Sequence, residues 1–301
     1  MLVKLVITNG RLEFLNLNNG NNQILNEVKV PLAVSGCVQV DDIAFAEAQT
    51  NWDIGDGTYS ENCSGDLTYV PDDSFEQALI DLGYDDVLDD YVLTANIDTI
   101  AELTVNEKNI SDLTGLEAFE ALEVLDCYSN RLTQLDVSQL KNLKVLLCGF
   151  NVIESLITKK NSELEELDIS FNHILELDLS QNSKLTNLYT HFNRFDSLDV
   201  SKNVNLKTLE IGSRSSFEQL DISNNLALVD LSIIDTGLHS LDVSQNPLLS
   251  SLNVIENPSL TCIKVANLEE ALTQSRWYKD DGASYSENCD HLRPCELVHY
   301  H

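Results

Sequence analysis

Positive charge is what this sequence most conspicuously lacks. It has 18 Lys and Arg against 49 Asp and Glu, a formal net charge of -31. So negative a surface repels phosphate backbones and anionic headgroups, which excludes nucleic acid and membrane surfaces as partners. Proline (5), tryptophan (2) and methionine (1) are scarce, while Leu and Asn abound. That bias argues for a repeated template over a mixed globular composition. No run of 18 apolar residues occurs, so no apolar helix long enough to span a bilayer is expected. The opening MLVKLVITNG has too short an apolar stretch for a signal peptide and reads as a chain entering part-way through a repeat, as expected of a piece of a longer protein.

Catalytic signatures are missing too. His173, His191, His239, His291, His299 and His301 fall in no HExxH pattern, no close Cys/His cluster and no G-x-S-x-G turn, and there is no P-loop or GxGxxG. Paired carboxylates carry no information in so acidic a chain. The reading is non-catalytic, without a cofactor unless calcium serves as one.

What is present is a period. Units begin at Leu122, Leu143, Leu164, Leu185, Leu206, Leu228 and Leu249, spaced by 21 residues with one unit of 22. The unit from Leu164, LEELDISFNHILELDLSQNSK, shows the pattern best. One such unit cannot close its own apolar face, whereas stacked units share a continuous core. The expected fold is therefore an α/β, β-dominated leucine-rich-repeat solenoid of short parallel strands. The ninth-position amides of Asn130, Asn151, Asn172, Asn193 and Asn257 are expected to stack as a ladder, interrupted at Arg214 and Thr236. Cys127 and Cys148 share one inward position and read as packed free thiols. Asp136, Asp178, Asp199, Asp221 and Asp242 also recur at one position, where like charges need an offset: Ser hydroxyls, backbone N–H groups and water, or bridging calcium.

Strand alternation turns the third, fifth and seventh residues of each unit outward. This exposes Tyr128, Asp168, Tyr189, His191 and Glu210, while Phe150, Phe171 and Phe192 stack at the eighth position of three consecutive rungs. An aromatic strip flanked by acids is a candidate binding face for protein or sugar; a purely structural stack at the strand edge is the other reading.

Both ends of a solenoid need covering. Upstream, residues 70–83 read as a capped amphipathic helix, an N-cap for the solenoid, with Asp72 to Ser74 starting it, Phe75, Leu79 and Leu82 on one face and Gly83 ending it. Residues 100–121 form an atypical first rung with Ile100, Leu103, Val105, Ile110, Leu113 and Leu116 inward. A second kind of cap occurs twice, at 37–63 and 262–289: Cys, strand, helix, Trp, Asp-Gly turn, then Tyr-Ser-Glu-Asn-Cys. This predicts disulfides Cys37–Cys63 and Cys262–Cys289, hence an oxidising compartment; Cys295 is left over. The expected domains are 1–63, the last rungs and cap of a preceding solenoid; 64–121, linker, helical cap and first rung; 122–261, the repeats; 262–289, the disulfide-closed cap; and 290–301, a tail. Asp85, Asp86, Asp89 and Asp90 form an acidic run that could take calcium, although it lacks the Gly and Glu of an EF-hand loop.

The unit LxCxxN followed by LDVSxN resembles the internalin-J-type leucine-rich repeat. The caps and the segment VPDDSFEQALIDLGYDD…DDYVLTANI resemble surface leucine-rich-repeat proteins of marine Bacteroidetes. The resemblance covers nearly the whole chain apart from about residues 1–11 and 290–301. It implies a secreted or cell-surface adhesion or binding module that recognises a protein or carbohydrate through its concave strand face. A structural spacer in a larger surface protein is the alternative.

Overall fold

The structure, a computed structural model, describes residues 4–6, 12–17, 27–40, 43–55, 58–60, 67–212 and 217–289. The chain divides into two compact units, residues 1–99 and 100–301.

In the second unit, nine described strands form one sheet running Glu102–Thr104, Val124–Asp126, Val145–Leu147, Glu166–Asp168, Asn187–Tyr189, Thr208–Gly212, Asp230–Ile234, Ser251–Val254 and Trp277–Lys279. Every pairing is parallel, and the register puts Leu103, Leu125, Leu146, Leu167, Leu188, Leu209, Leu231, Leu252 and Trp277 opposite one another in a single column. The leucines of that column are at most 2% exposed. A one-residue slip on any rung would turn its leucine to water, so burial itself fixes the register. A second inward column carries Leu132, Ile153, Ile174, Phe195, Phe217 and Leu238, all at most 1% exposed. Parallel strands also pair across Leu135 and Leu156, and across Leu241, Ile263 and Tyr285.

The expected asparagine ladder is present. Asn172 Nδ2 donates to the carbonyls of Cys148 (3.0 Å) on the preceding coil and Ile169 (3.0 Å) on its own, while its Oδ1 accepts the Ile153 amide at 2.9 Å. Asn130, Asn151 and Asn193 repeat this set of contacts one coil apart. Each amide thus bonds two coils and satisfies three backbone groups at the turn. Arg214 lies outside the described residues. At Thr236 the ladder adapts: its amide and hydroxyl both donate to Asn257 Oδ1, at 3.0 and 2.5 Å. A second ladder was not anticipated. Asn161, Asn182, Asn203, Asn225 and Asn246 are all at most 5% exposed, and each donates through Nδ2 to carbonyls of the preceding coil.

Cys127 and Cys148 are free and fully buried, and burial pushes both thiols well above the ordinary cysteine range. The repeating aspartates are turn acceptors. Asp136, Asp178, Asp199, Asp221 and Asp242 each accept the amide of the Ser two residues on, at 2.8–3.0 Å. The Ser hydroxyl and amide hold Asp178, Asp199 and Asp221 below the usual carboxylate range. These contacts offset part of the mutual repulsion, and at Asp242 the Lys264 ammonium, 2.9 Å away, adds to them.

At the far end Cys262 and Cys289 are joined, with Cα atoms 5.9 Å apart, as anticipated. Between them lie a helix, Leu268–Thr273, capped by Asn267, and the last rung. There Asp280 takes over a backbone role: its carboxylate accepts the amides of Glu256 (3.0 Å) and Asn257 (2.6 Å). On earlier coils the amide equivalent to that of Glu256 bonds a carbonyl, as Phe150 does to Ser170 at 2.8 Å.

The first unit repeats this end structure. Leu5, Val28 and Trp52 align on parallel strands, as do Leu15, Val38 and Tyr59. In the second unit Leu252 aligns with Trp277 and Ile263 with Tyr285. The Trp–Tyr ring separations also correspond, 6.2 Å for Trp52–Tyr59 and 5.7 Å for Trp277–Tyr285. The duplication seen in sequence is therefore a duplication of register. Cys63 and Cys295 fall outside the described residues, as does any Cys37–Cys63 bridge.

Also in the first unit, a helix Asp73–Asp81 follows Asp72, whose side chain accepts the Ser74 and Phe75 amides at 3.0 Å each. It closes on Gly83 at φ 81°, with Gly83 N donating to Ile80 and Tyr84 N to Leu79, both at 2.9 Å. One expectation fails here. Leu82 is 43% exposed, because it caps the helix rather than extending it; the buried face is Phe75, Glu76, Ala78 and Leu79. Ile100, expected inward, is only half-buried, whereas Leu103, Val105, Ile110, Leu113 and Leu116 are buried. An antiparallel pair not anticipated, Leu67–Tyr69 with Tyr91–Leu93, flanks the helix in sequence. Among the described residues no helix is long and apolar enough to cross a membrane.

Replacing Asn172 with Ala strands the Ile153 amide inside the stack and removes one of two donors from the carbonyls of Cys148 and Ile169, which keep Asn151 and Asn193. A buried unpaired group costs about 1–3 kcal/mol, so we expect a loss of about 1–3 kcal/mol in urea-induced unfolding. Asn203→Leu should cost less, because the unit that begins at Leu122 already carries Leu140 at that position.

Candidate functional site

The strand face is built by alternation. With Leu125 and Cys127 fully buried, Asp126 and Tyr128 must face out, and the same holds on each later rung. Beyond the strand each coil turns back, and the turn demands a left-handed residue at the eighth position. Glu107, Ser129, Asp235 and Glu256 meet it with φ between 55° and 61°. On three consecutive rungs the residue is Phe: Phe150 at φ 53°, Phe171 at 58° and Phe192 at 54°. A bulky side chain in this region is uncommon and costs on the order of 1–3 kcal/mol.

The rings form a continuous file. Tyr128 lies 5.1 Å from Phe150, Phe150 stacks on Phe171 at 4.1 Å with planes 27° apart, and Phe171 meets Phe192 at 4.5 Å. Contacts of this kind return about 0.5–1.5 kcal/mol per pair, which offsets much of the strain. The file is nonetheless open to solvent: Phe150 is 44% and Phe171 39% exposed. Two glycines make room beside it. A Cβ on Gly149 would sit 2.9 Å from Tyr128 Cε2, and one on Gly212 would sit 2.7 Å from His191 Nδ1. Because Gly212 leaves that space, the His191 ring can turn to Glu210, with Nε2 2.8 Å from the carboxylate.

Acids border the aromatics. Tyr189 pairs in register with Asp168 on one side and Glu210 on the other. Burial pushes the Tyr189 phenol up, with further push from Glu166, Glu210, Asp168 and Asp230. Tyr128 is raised in the same way by burial and then by Asp168 and Asp126. Asp168 and Asp126 also accept the amides of Ser170 (2.8 Å) and Tyr128 (3.1 Å), which fixes where their charge sits. On the far flank of the file, Phe171, His173, Phe192 and Arg194 border an open hollow of about 390 Å³.

The structure thus brings the candidates from sequence into two adjoining strips: Tyr128, Phe150, Phe171 and Phe192 in one, Asp168, Tyr189, His191 and Glu210 in the other. Sequence reasoning missed Gly149, Gly212, His173 and Arg194. The glycines at seventh positions were visible as an interruption of otherwise bulky residues. The acidic run of the first unit divides. Asp85 and Asp89 gather with Glu76, whereas Asp86 and Asp90 are exposed and lie outside that group. Burial pushes Glu76 up and raises Asp85 to about 7.

No protein-family model matches the sequence, and no curated protein matches it. Solved structures do. Internalin C2 from Listeria monocytogenes is 20% identical over 72% of this chain and 95% of its own, with a TM-score of 0.53. A leucine-rich-repeat protein of Leptospira interrogans is also 20% identical, over 64% of this chain and 55% of its own, with a TM-score of 0.52. The functional domain of InlJ from Listeria monocytogenes, which includes a cysteine ladder, aligns over 74% of this chain at 21% identity and a TM-score of 0.27. The first two share this chain's fold, a leucine-rich-repeat solenoid of short parallel strands closed here by the Cys262–Cys289 bridge.

Gly149→Ala is expected to push the Tyr128 ring off Phe150, because the new Cβ would have only 2.9 Å to the ring carbon. Near-ultraviolet circular dichroism should then lose intensity in the tyrosine region while the far-ultraviolet spectrum stays unchanged.

Proposed function

We propose that this protein is a non-catalytic binding module that holds a protein partner on its strand face. The observation that carries the reading is the aromatic file. Three phenylalanines, Phe150 and Phe171 exposed and Phe192 half-buried, occupy left-handed positions where the other described rungs place Ser, Asp or Glu. Stacking alone would be served as well by buried rings, and the backbone would be served better by small polar residues. Exposed rings kept under strain are the expected signature of a surface selected to touch something.

The neighbouring acids indicate the partner's chemistry. Asp168, Glu166, Glu210 and Asp230 surround Tyr189 beside the rings. A guanidinium stacks on aromatic faces and pairs with carboxylates at once, so a protein segment presenting Arg with apolar neighbours fits both strips. The net charge of -31 would speed its approach and make the on-rate fall as salt rises. A glycan would use the rings but gain little from the acids. The closed disulfide, which persists in oxidising compartments, supports a place outside the cell or on its surface.

Phe171→Asn separates the two readings of the file. Asn tolerates the left-handed turn, so relief of strain offsets lost stacking and stability should change by no more than about 1 kcal/mol. If the file binds, capture of Arg-bearing peptides from an array weakens at least about tenfold in this variant, as for other interface aromatics. Undiminished capture by a Phe150→Asn, Phe171→Asn, Phe192→Asn triple variant would show the stack to be structural only.

A further inference from the structure

The first unit buries a charge for which its own segment offers no counter-charge. Glu76 is 0% exposed. Its Oε1 accepts the amides of Asp89 (2.8 Å) and Tyr91 (3.1 Å). Its Oε2 is buried and makes no hydrogen bond. Oxygens of Glu76, Asp85 and Asp89 all lie within 4.8 Å of one another, and Oδ2 of Asp85 is likewise buried without a hydrogen bond. Across residues 67–99 there are nine Asp and Glu and no Lys, Arg or His. A buried carboxylate is tolerated only when paired, neutralised or bound to a metal.

We infer that Glu76, Asp85 and Asp89 form a calcium site. The donor set is all oxygen and all anionic, which suits a hard cation. Calcium sits about 2.3–2.6 Å from its ligands, so one ion can touch oxygens up to roughly 5 Å apart; magnesium, at about 2.0–2.1 Å, demands a tighter cluster. The scaffold fits a built site. The helix fixes Glu76, its Oε1 is pinned by two amides, and the closure at Gly83 sends the chain back past it carrying Asp85 and Asp89. The exposed Asp86 and Asp90 stay outside the cluster and lend it long-range attraction for the ion. The ligands stand at sequence offsets of 9 and 13 from Glu76, unlike a twelve-residue EF-hand loop. Bound calcium would tie the loop 84–90 to the helix.

The test titrates calcium chloride into the full chain after EDTA treatment and dialysis, read by calorimetry and by the melting temperature. We expect one saturable site and a higher melting temperature with calcium, both lost or at least about tenfold weaker in Glu76→Gln and Asp85→Asn, the loss expected when a ligand is removed. Asp199→Asn, on the exposed solenoid turn, should bind as the parent does. Glu76→Gln keeps an acceptor for the two amides; should it still fail to fold, Asp85→Asn, at a half-buried position, decides. Terbium supplies an independent readout, since Tyr84 and Tyr91 border the loop and should sensitise its emission in the parent but not in Asp85→Asn. The proposal is overturned if no saturable site is found, or if both variants bind calcium like the parent.

Discussion

A buried side-chain amide, repeated once per coil, is the constraint on which the second unit depends. Asn130, Asn151, Asn172 and Asn193 each bond a carbonyl of the preceding coil and another of their own, and each accepts an amide from the coil before. Without them the turns would carry orphaned polar groups into an apolar interior, at a penalty the leucine column would have to overcome at every rung. With them, the coil can turn tightly enough for the next strand to fall into register. The left-handed residue at the eighth position lies inside this turn, and so does the place where the phenylalanine rings emerge. Core, backbone strain and exposed surface are therefore three consequences of one local geometry.

The period of 21 was enough to place Leu125, Leu146, Leu167 and Leu188 in one column, because burial and alternation act on every unit alike. Repetition likewise exposed the first asparagine ladder, the buried Cys127 and Cys148, and the paired end structures with their Trp and Tyr. The less legible features are those that depend on a single copy or on chain return. Glu76 looks like any acid on an acidic helix; its burial follows from where residues 84–91 come back, which no local pattern encodes. Leu82 was placed on the apolar face by helical spacing, but the closure at Gly83 ends the helix one residue earlier and leaves Leu82 in water. The strain at Phe150, Phe171 and Phe192 was hidden because a stacking aromatic and a turn residue are different readings of the same letter.

Negative charge is handled differently at different places in the chain. On the solenoid turns the aspartates are exposed and satisfied by serine hydroxyls and amides, so their charge is local and quiet. On the strand face Asp168 and Glu210 flank Tyr189, where their fields reinforce one another beside a polarisable ring. In the first unit three carboxylates close on a buried point. One composition thus yields a solvated edge, an acid-flanked aromatic face and a concentrated potential, according to what the backbone places next to each acid.

Asp280 sets a limit on this architecture. Stacked parallel strands can in principle lengthen without end, since each exposed edge is a template for the next. By supplying a carboxylate where another coil's carbonyl would stand, Asp280 satisfies the amides of Glu256 and Asn257 with a group that a newly arriving strand cannot replace without trapping a negative charge. At that turn both the charge of Asp280 and the bulk of the disulfide-bonded loop oppose the addition of another strand, so this end of the stack carries its own bar to fibre growth.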